Sequence, residues 1–327
     1  MTRASATPPE RICVACGARD RHHEHVFREM YFGSREEFLY FECLGCGTLQ
    51  IAEVPADLAR HYPPDYYSYS AAAKTSSPLE TALRRRRTNA WLGADSGIVG
   101  RLLAASSRRK PNYLDWFEGL GLSTSARLLD VGCGGGQLLL KLRRDGFTRL
   151  KGIDPFLAKP ASHGPELTID NCGIEQASGT YDLVMFHHSL EHVADPLAAL
   201  RRARARLADG GHILVRVPVA GCFAWRKFRQ HWYALDAPRH LFIPSPRGMH
   251  LLAAKLGLKI RRSFFDSDPG QFLASENYVN DIALAAQADH PIPAPERLRA
   301  MTGFVDILNH IGDGDCGGFV LGPAHAG

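Results

Sequence analysis

The sequence predicts an α/β fold built on a parallel β-sheet, with a small cysteine-containing module in front of it. Residues 113–327 alternate apolar runs typical of buried strands with amphipathic segments typical of helices. The first of these runs ends in a cluster of glycines, a junction that favours a bound ligand. Residues 11–52 instead hold two closely spaced cysteine pairs. The sequence therefore predicts an α/β domain with an accessory module.

The elements of the α/β part are predicted from apolar periodicity and from helix-capping residues. Six runs are expected to be strands: Arg127–Val131, Leu150–Ile153, Tyr181–Phe186, His212–Val217, Lys259–Phe265 and Gly318–Leu321. Four segments are expected to be helices: Gln137–Arg144, one opened by Asp195 and Pro196, one opened by Ser245 and Pro246 and ended by Gly257, and Glu296–Ile311. The last helix has an apolar face that we expect to pack on the core, made of Leu298, Met301, Phe304, Val305, Leu308 and Ile311.

Length and composition fit one catalytic domain plus an accessory module. The 327 residues divide into a disordered lead (1–10), the cysteine module (11–52), a connector (53–112) and the α/β domain (113–327). No stretch approaches the roughly 18 apolar residues of a membrane helix, and residues 1–10 lack the apolar core of a secretory signal. We therefore expect a cytoplasmic protein that does not insert into a membrane. The oligomeric state is left open.

The positive charge of the chain is concentrated in the connector. The net charge is +5, and the segment 80–110 alone holds eight basic residues against two acids. The basic residues are Arg84, Arg85, Arg86, Arg87, Arg101, Arg108, Arg109 and Lys110. Proteins that grip nucleic acid usually spread basic charge over a face of the fold. Nucleic acid is therefore not the expected partner, and the stretch is interpreted as a solvated basic helix or linker.

The glycine-rich turn follows the strand Arg127–Val131 and has the spacing D-x-G-x-G-x-G, beginning at Asp130. Glycines allow a sharp turn and a close approach of the ligand, and the helix that follows offers free amide donors. A dehydrogenase turn would read G-x-G-x-x-G without that acid. Asp154 comes 24 residues later, at the end of the second strand, where a carboxylate can bind both hydroxyls of a ribose.

Together with two later blocks, this motif resembles the class I S-adenosylmethionine (SAM) dependent methyltransferases. The blocks are "YDLVMFHHSLEHVADP" (181–196) and "PRHL" (238–241), which occur in a broad bacterial group of these enzymes. The resemblance covers residues 112–322. It implies a doubly wound, seven-stranded, mostly parallel sheet with SAM across the carboxyl ends of the first strands. It also implies that Asp130, Gly132 and Gly134 line the methionine end of SAM and that Asp154 holds the ribose.

The same resemblance places Gly173 and Ile174 beside the adenine. Many relatives carry an acid where Gly173 stands, so the contact there is expected to come from the backbone alone.

Histidines near the fourth and fifth strands are the predicted catalytic residues. His187 and His188 follow the fourth strand, at the edge of the sheet where the cleft opens, and one of them is expected near the methyl group of SAM. A histidine can accept a proton from a substrate near neutral pH. Glu191 and His192 are expected instead to pin the turn. His240 is the first choice for the base, with a buried structural role as the alternative.

Substrate contacts are predicted around the same histidine. The segment "HWYALDAPRHLF" sets Trp232, Tyr233 and Arg239 beside His240, which offers stacking, a cation and a base together. The amino-methylation tetrapeptide N-P-P-[YF] does not follow the fourth strand. Transfer of a methyl group to oxygen or carbon of a small molecule is therefore favoured.

The four N-terminal cysteines predict a structural zinc site. Cys13-x-x-Cys16 and Cys43-x-x-Cys46 are 26 residues apart, and each pair is followed by glycine. Four thiolates around Zn²⁺ form a closed tetrahedral site without an open position for chemistry. The separation fits a hairpin between the two turns, as in a zinc ribbon. Segment 11–69 also resembles the zinc-binding part of bacterial sugar C-methyltransferases and related envelope-glycan methyltransferases. This implies a sugar-type or glycan-precursor substrate.

Two other functions stay open on the sequence. Some ribosomal RNA methyltransferases also join a four-cysteine module to this fold, and the basic segment could hold phosphates. The chain could instead bind SAM as a scaffold without catalysis. Asp154 and the intact loop that begins at Asp130 argue against the scaffold, and the missing N-P-P-[YF] argues against RNA.

Overall fold

The structure, a computed structural model, describes residues 11–62, 77–107, 109–289 and 293–323. The predicted lead 1–10, residues 63–76 of the connector and Arg108 of the basic run lie outside the described residues. Twelve strands are described: β1 His22–Arg28, β2 Glu37–Cys43, β3 Leu49–Ile51, β4 Arg127–Val131, β5 Arg149–Ile153, β6 Ala161–Ser162, β7 Leu167–Asp170, β8 Tyr181–His187, β9 Leu207–Pro218, β10 Phe242–Ile243, β11 Leu258–Phe265 and β12 Cys316–Pro323.

Eight α-helices connect these strands within the described residues. They are α1 Pro78–Trp91, α2 Gly97–Ser106, α3 Gln137–Arg144, α4 Pro196–Arg204, α5 Phe223–Phe228, α6 Pro246–Lys255, α7 Gly270–Val279 and α8 Pro295–Ile311. Capping side chains fix several of their starts. Asp195 accepts a hydrogen bond from the amide of Ala198 at 2.9 Å, and Ser245 accepts one from Gly248 at 2.9 Å.

The central sheet confirms the predicted fold class. Its strand order is β11-β12-β9-β8-β4-β5-β7-β6. The pairs β7–β5, β5–β4, β4–β8 and β8–β9 are parallel, and β12 is antiparallel to both of its neighbours. Seven strands match the predicted doubly wound sheet, and the eighth is the two-residue edge strand β6. The strand order reverses between β4 and β8, where open α/β sheets bind their ligands.

A second, four-stranded sheet carries the cysteine pairs. Its order is β1-β2-β3-β10, so its last strand comes from the segment that precedes α6. Phe242 pairs with Gln50, and Ile243 pairs with Leu49. The buried cysteines share one apolar cluster with Met249 and Leu252 of α6. The cysteine module is therefore joined to the α/β part by main-chain hydrogen bonds and by a common core.

The helix α8 corrects one prediction. Val305 and Leu308 of its apolar face are buried, as expected, but Leu298, Phe304 and Ile311 are exposed. Val305 and Leu308 share one apolar cluster with residues of α5 and α7, whereas the other three positions lie at the surface. Phe304 still contacts the rings of Phe223 and Phe272, at 5.3 and 5.8 Å between centroids.

The basic stretch forms α1 and α2, and part of it packs against the α/β domain. The guanidinium of Arg87 lies 4.7 Å from the ring of Trp91 and 4.0 Å from Asp145. A Cβ at Gly146 would lie 2.6 Å from the Cα of Arg85, so this glycine allows α1 to approach. Across the described part of the chain, no helix combines the length and apolar character needed to span a bilayer.

Candidate active site

The glycine loop after β4, residues 132–136, packs against the turn after β8. Gly132, Gly134 and Gly136 have φ angles of 72°, 52° and 79°, a region that favours glycine. A Cβ at Gly132 would lie 2.6 Å from the Cβ of Ser189. The hydroxyl of Ser189 in turn donates to the carbonyl of Val131 at 2.5 Å. The turn that carries the predicted catalytic histidines is thereby held directly on the loop.

Two buried carboxylates meet at this loop. Asp154 accepts hydrogen bonds from the amides of Gly134 and Phe156, both at 2.9 Å. Asp130 is 2% exposed, and its Oδ1 is buried without a hydrogen-bond partner among the described residues. Burial, and then the neighbouring charge of Asp154, raise the pKa of Asp130 to about 8. A buried carboxyl group in this setting lacks a cation or a donor, which a ligand could supply.

An open cleft of about 540 Å³ lies beside the two carboxylates. Its lining includes Tyr62, Gly134, Gly135, Phe156, Leu157 and Ile169. The rings of Tyr62 and Phe156 are stacked, with their centroids 5.9 Å apart. This cleft has the apolar walls and the flat ring surfaces that suit a purine.

Gly173 and Ile174, predicted beside the adenine, follow β7. Ile174 is 7% exposed, and the amide of Gly173 donates to the side chain of Gln176 at 3.1 Å. A Cβ at Gly173 would collide with the carboxylate of Glu175. The exposed side chain of Glu175 can move away, so this contact does not by itself require a glycine.

His187 and His188 end β8 beside an arginine. The side chain of Arg216 on β9 contacts the Nε2 atoms of both rings, at 3.4 Å for His187. Burial lowers the pKa of His187 well below its ordinary value, so this ring is neutral. His188 has a φ of 53°, its side chain is 39% exposed, and its Nδ1 lies 3.3 Å from the carboxylate of Glu191.

His240 lies close to the same turn but is more enclosed. Its side chain is 11% exposed, and its Nδ1 lies 2.7 Å from the carbonyl of Ala234. The ring centroids of His192 and His240 are 4.8 Å apart, and the amide of Leu241 donates to the carbonyl of Glu191 at 2.7 Å. Glu191 itself is completely buried. The structure therefore brings both His188 and His240 close to one buried carboxylate.

The predicted substrate residues around His240 lie in the interior. Trp232 is completely buried, and its indole donates to Asp315 at 3.2 Å. Arg239 is also completely buried, where it pairs with Asp236 and lies 3.6 Å from Glu29. Burial raises the pKa of Tyr233 well above its ordinary value. The polar groups of Trp232 and Arg239 already have protein partners, and direct substrate contact by these residues stays a prediction.

The four N-terminal cysteines converge as the spacing predicts. Their sulfurs lie within 4.8 Å of one another, with Cys13 and Cys46 at 3.5 Å and Cys16 and Cys43 at 3.4 Å. Sulfurs bound tetrahedrally to Zn²⁺ would be about 3.8 Å apart, so the cluster is of the right size. The hydrogen bond from Cys13 lowers the pKa of Cys46 to about 5, which favours a thiolate. The arrangement fits a structural metal.

Sequence reasoning missed several side chains at the site. Arg216 stands in the middle of an apolar strand, and its guanidinium packs 4.8 Å from the ring of Trp116 and 2.8 Å from Asp266. A charged residue in a buried parallel strand is a signal that could have revealed it. Phe156 could have been found by its position two residues after Asp154. Tyr62 comes from the connector, and no local pattern connects it to the cleft.

Comparison with known proteins gives a matching family for the central part of the chain. Residues 101–263 match the family described as "Methyltransferase domain". A ubiquinone biosynthesis O-methyltransferase from Ralstonia nicotianae is 28% identical over 153 residues, which are 43% of this chain and 60% of that protein. The enzyme of that name from a Caulobacter species is 38% identical over 109 residues, which are 30% of this chain and 41% of that protein. The chain thus matches about half the length of these relatives.

Among solved structures, a SAM-dependent methyltransferase from Archaeoglobus fulgidus aligns with a TM-score of 0.39 and 16% identity, over 72% of this chain and 97% of that one. Magnesium protoporphyrin IX methyltransferase from Synechocystis, with bound S-adenosylhomocysteine, aligns with a TM-score of 0.38 and 14% identity, over 65% and 89% of the two chains. These superpositions are too loose to bear on function.

Proposed function

We propose that the chain, whose residues 101–263 match a methyltransferase domain family and whose sheet is of the doubly wound type, transfers the methyl group of SAM to a hydroxyl oxygen of a small molecule. The observation that carries the proposal is the pair of buried carboxylates at the glycine loop. Asp130 has an oxygen without a partner among the described residues, and Asp154 sits at the end of the neighbouring strand.

The residues around this pair fit the cofactor. The unpaired oxygen of Asp130 suits the ammonium group of the methionine part, because a cation would offset its burial. Asp154 suits the ribose hydroxyls, and the glycines of the loop leave room for the backbone to approach. Ile174 and the ring of Phe156 suit the adenine, with the backbone of Gly173 beside them. When bound, SAM supplies an electrophilic methyl group on a sulfonium, which is a good leaving group.

The chain's own residues have to align the acceptor and take its proton. As the S–CH₃ bond breaks and the O–CH₃ bond forms, the hydroxyl proton leaves the acceptor oxygen for a base. We assign this proton transfer to His188 rather than to His240, because its side chain is 39% exposed against 11%. Glu191 orients the ring through its contact with Nδ1. A positioned base adds roughly two to four orders of magnitude in rate.

Arg216 and His187 complete this side of the site. Arg216 is held by Asp266 at 2.8 Å and faces both histidine rings. A guanidinium in that position suits an acceptor oxygen that gains negative charge as its proton leaves. The neutral ring of His187 packs 5.0 Å from the ring of Trp116 and forms an apolar wall. An acceptor that carries an aromatic or enolic hydroxyl fits such surroundings.

The finer parts of the proposal concern the zinc and the substrate class. We assign Zn²⁺ to Cys13, Cys16, Cys43 and Cys46 as a structural ion, because the four sulfurs already lie at nearly tetrahedral spacing. The assignment of a sugar-type or glycan-precursor acceptor, methylated on oxygen or carbon, rests on the resemblance of segment 11–69 alone. The assignment of a phenolic acceptor rests on the O-methyltransferase relatives, which match only part of the chain.

The proposal is tested by following the labelled methyl group. The purified chain is incubated with methyl-labelled SAM and a bacterial cell extract, which is then separated into small molecules, nucleic acid and protein. We expect label in the small-molecule fraction, and less of it with His188→Gln. Label found in RNA, or found in no fraction while the chain binds S-adenosylhomocysteine, would contradict the proposal.

A further inference from the structure

Three potential metal ligands converge beside the predicted catalytic turn. A ligand atom from each of Glu191, His192 and His240 lies within 4.8 Å of the others. Two of the residues belong to the turn after β8, and the third comes from the segment before β10. The main-chain hydrogen bond from Leu241 to the carbonyl of Glu191, at 2.7 Å, holds the two segments together. The cluster is separate from the four cysteines.

Main-chain carbonyls contact one nitrogen of each histidine. Nδ1 of His192 lies 2.9 Å from the carbonyl of Arg239, and Nδ1 of His240 lies 2.7 Å from the carbonyl of Ala234. A carbonyl oxygen only accepts, so these contacts favour a hydrogen on each Nδ1 and the lone pair on Nε2. Nδ1 of His192 also lies 3.0 Å from the hydroxyl of Tyr62, which can accept from the same hydrogen. Histidines that bind metals show this arrangement, with the second nitrogen donating to a backbone carbonyl.

The carboxylate completes the set of ligands. Glu191 is 0% exposed, and its Oε1 contacts His188 while its Oε2 is buried without a hydrogen-bond partner among the described residues. A carboxylate oxygen in the interior without a partner is costly unless a cation binds it.

Protonated histidines could offset this charge instead of a metal. The Nε2 of His240 lies 3.7 Å from Asp236, which is longer than a hydrogen bond, and Asp236 is already paired with Arg239. This geometry leaves the Nε2 of His240 available to an ion.

We propose that Glu191, His192 and His240 bind one divalent transition-metal ion, such as Zn²⁺ or Mn²⁺, at a second site distinct from the cysteine cluster. Two imidazoles and one carboxylate leave open coordination positions, as in catalytic metal sites. Small side-chain rotations would bring the three ligands to bonding distance. The position beside the loop of Gly132 would let an ion polarise the acceptor oxygen; this role rests on the proposed methyl transfer, whereas the site itself does not.

Mn²⁺ is the probe that distinguishes the two sites, because carboxylate and imidazole suit Mn²⁺ whereas four thiolates select Zn²⁺. The zinc-loaded chain is titrated with Mn²⁺, and the free ion is followed by electron paramagnetic resonance. We expect one Mn²⁺ to bind per chain, displaced by added Zn²⁺. Glu191→Gln and His240→Gln should each weaken binding at least about tenfold. His250→Ala, at an exposed position on α6, is the matched control and should bind as the unaltered chain does.

Two results would overturn the site. The first is the absence of Mn²⁺ binding to the unaltered chain. That result would exclude the site independently of the variants. The second is equal binding by folded Glu191→Gln or His240→Gln. Thermal melting gives a second measurement, since Mn²⁺ should raise the melting temperature of the unaltered chain and not that of the variants. Titration of the same samples with S-adenosylhomocysteine separates failure of this site from failure of the proposed function.

Discussion

The hydroxyl of Tyr40 in the cysteine module donates a hydrogen bond to the main-chain carbonyl of His240 at 2.9 Å. The two residues are 200 positions apart, and Tyr40 is 1% exposed. The next residues along, Phe242 and Ile243, pair with β3 of the same module. The cysteine module thus braces the segment that brings His240 to Glu191, so it helps to shape the candidate active site.

Tyr40→Phe should lower the free energy of unfolding by about 1 kcal/mol, because it leaves a buried carbonyl without its donor. Methyl transfer should fall as well, since the His240 segment loosens. Denaturation in urea measures the first effect. Tyr278→Phe is the matched control, because the buried hydroxyl of Tyr278 has no hydrogen-bond partner among the described residues. We expect Tyr278→Phe to leave the free energy of unfolding unchanged or higher. If Tyr40→Phe also left it unchanged, Tyr40 would not stabilise the His240 segment.

Cys43→Ser should remove about one zinc ion per chain, because three thiolates hold Zn²⁺ less tightly than four. The melting temperature should fall too, since Cys43 shares a buried cluster with Met249 and Leu252. Elemental analysis measures the metal. Cys172→Ser, which alters a cysteine outside the cluster, should keep the full zinc content. Full zinc in Cys43→Ser would mean that other ligands hold the ion.

Asp130→Asn should make the ligand-free chain more stable at pH 8 while weakening SAM binding. In the folded chain the carboxyl of Asp130 keeps its proton up to about pH 8, whereas in the unfolded chain it loses it near pH 4. The folded state binds the extra proton between these values, so this residue makes stability fall as pH rises through the window. Asparagine cannot ionise, which removes that fall.

Melting curves at pH 5 and pH 8 without ligand test this prediction. The melting temperature of Asp130→Asn should exceed that of the unaltered chain by more at pH 8 than at pH 5. Asp209→Asn, at an exposed position of β9, should follow the unaltered chain at both values. If the melting temperature of Asp130→Asn fell between pH 5 and pH 8 as much as that of the unaltered chain, the carboxyl of Asp130 would not cause the loss of stability.

Local patterns were enough to predict the strand and the helix that flank the glycine loop. The bounds of β4 and α3 agree with the sequence, because a buried apolar run and a glycine stop are encoded within a few residues. The strand β10 could not be predicted, because two residues form it only by pairing with β3, nearly 200 residues away. The burial of Trp232 was also missed, since its partner Asp315 is 83 residues away. Local sequence does not record such contacts.

His188→Gln should reduce turnover by about two orders of magnitude or more while leaving the affinity for S-adenosylhomocysteine nearly unchanged. The reason is that the ring lies on the acceptor side of the loop and its loss removes the base. Turnover is measured with labelled SAM, and affinity by calorimetry. His250→Ala, on the exposed face of α6, should change neither. A parallel loss of affinity and turnover in His188→Gln would indicate a structural role.

Calorimetric titration of Asp154→Ala with S-adenosylhomocysteine is the most direct test of the central claim, that the carboxylates beside the glycine loop bind the cofactor. The loss of two hydrogen bonds from a charged group to the ribose should cost about 2–4 kcal/mol, or roughly a 30- to 700-fold increase in Kd. Asp209→Ala, which alters an exposed carboxylate of β9, should bind with unchanged Kd. An unchanged Kd in folded Asp154→Ala would contradict the assignment of this site.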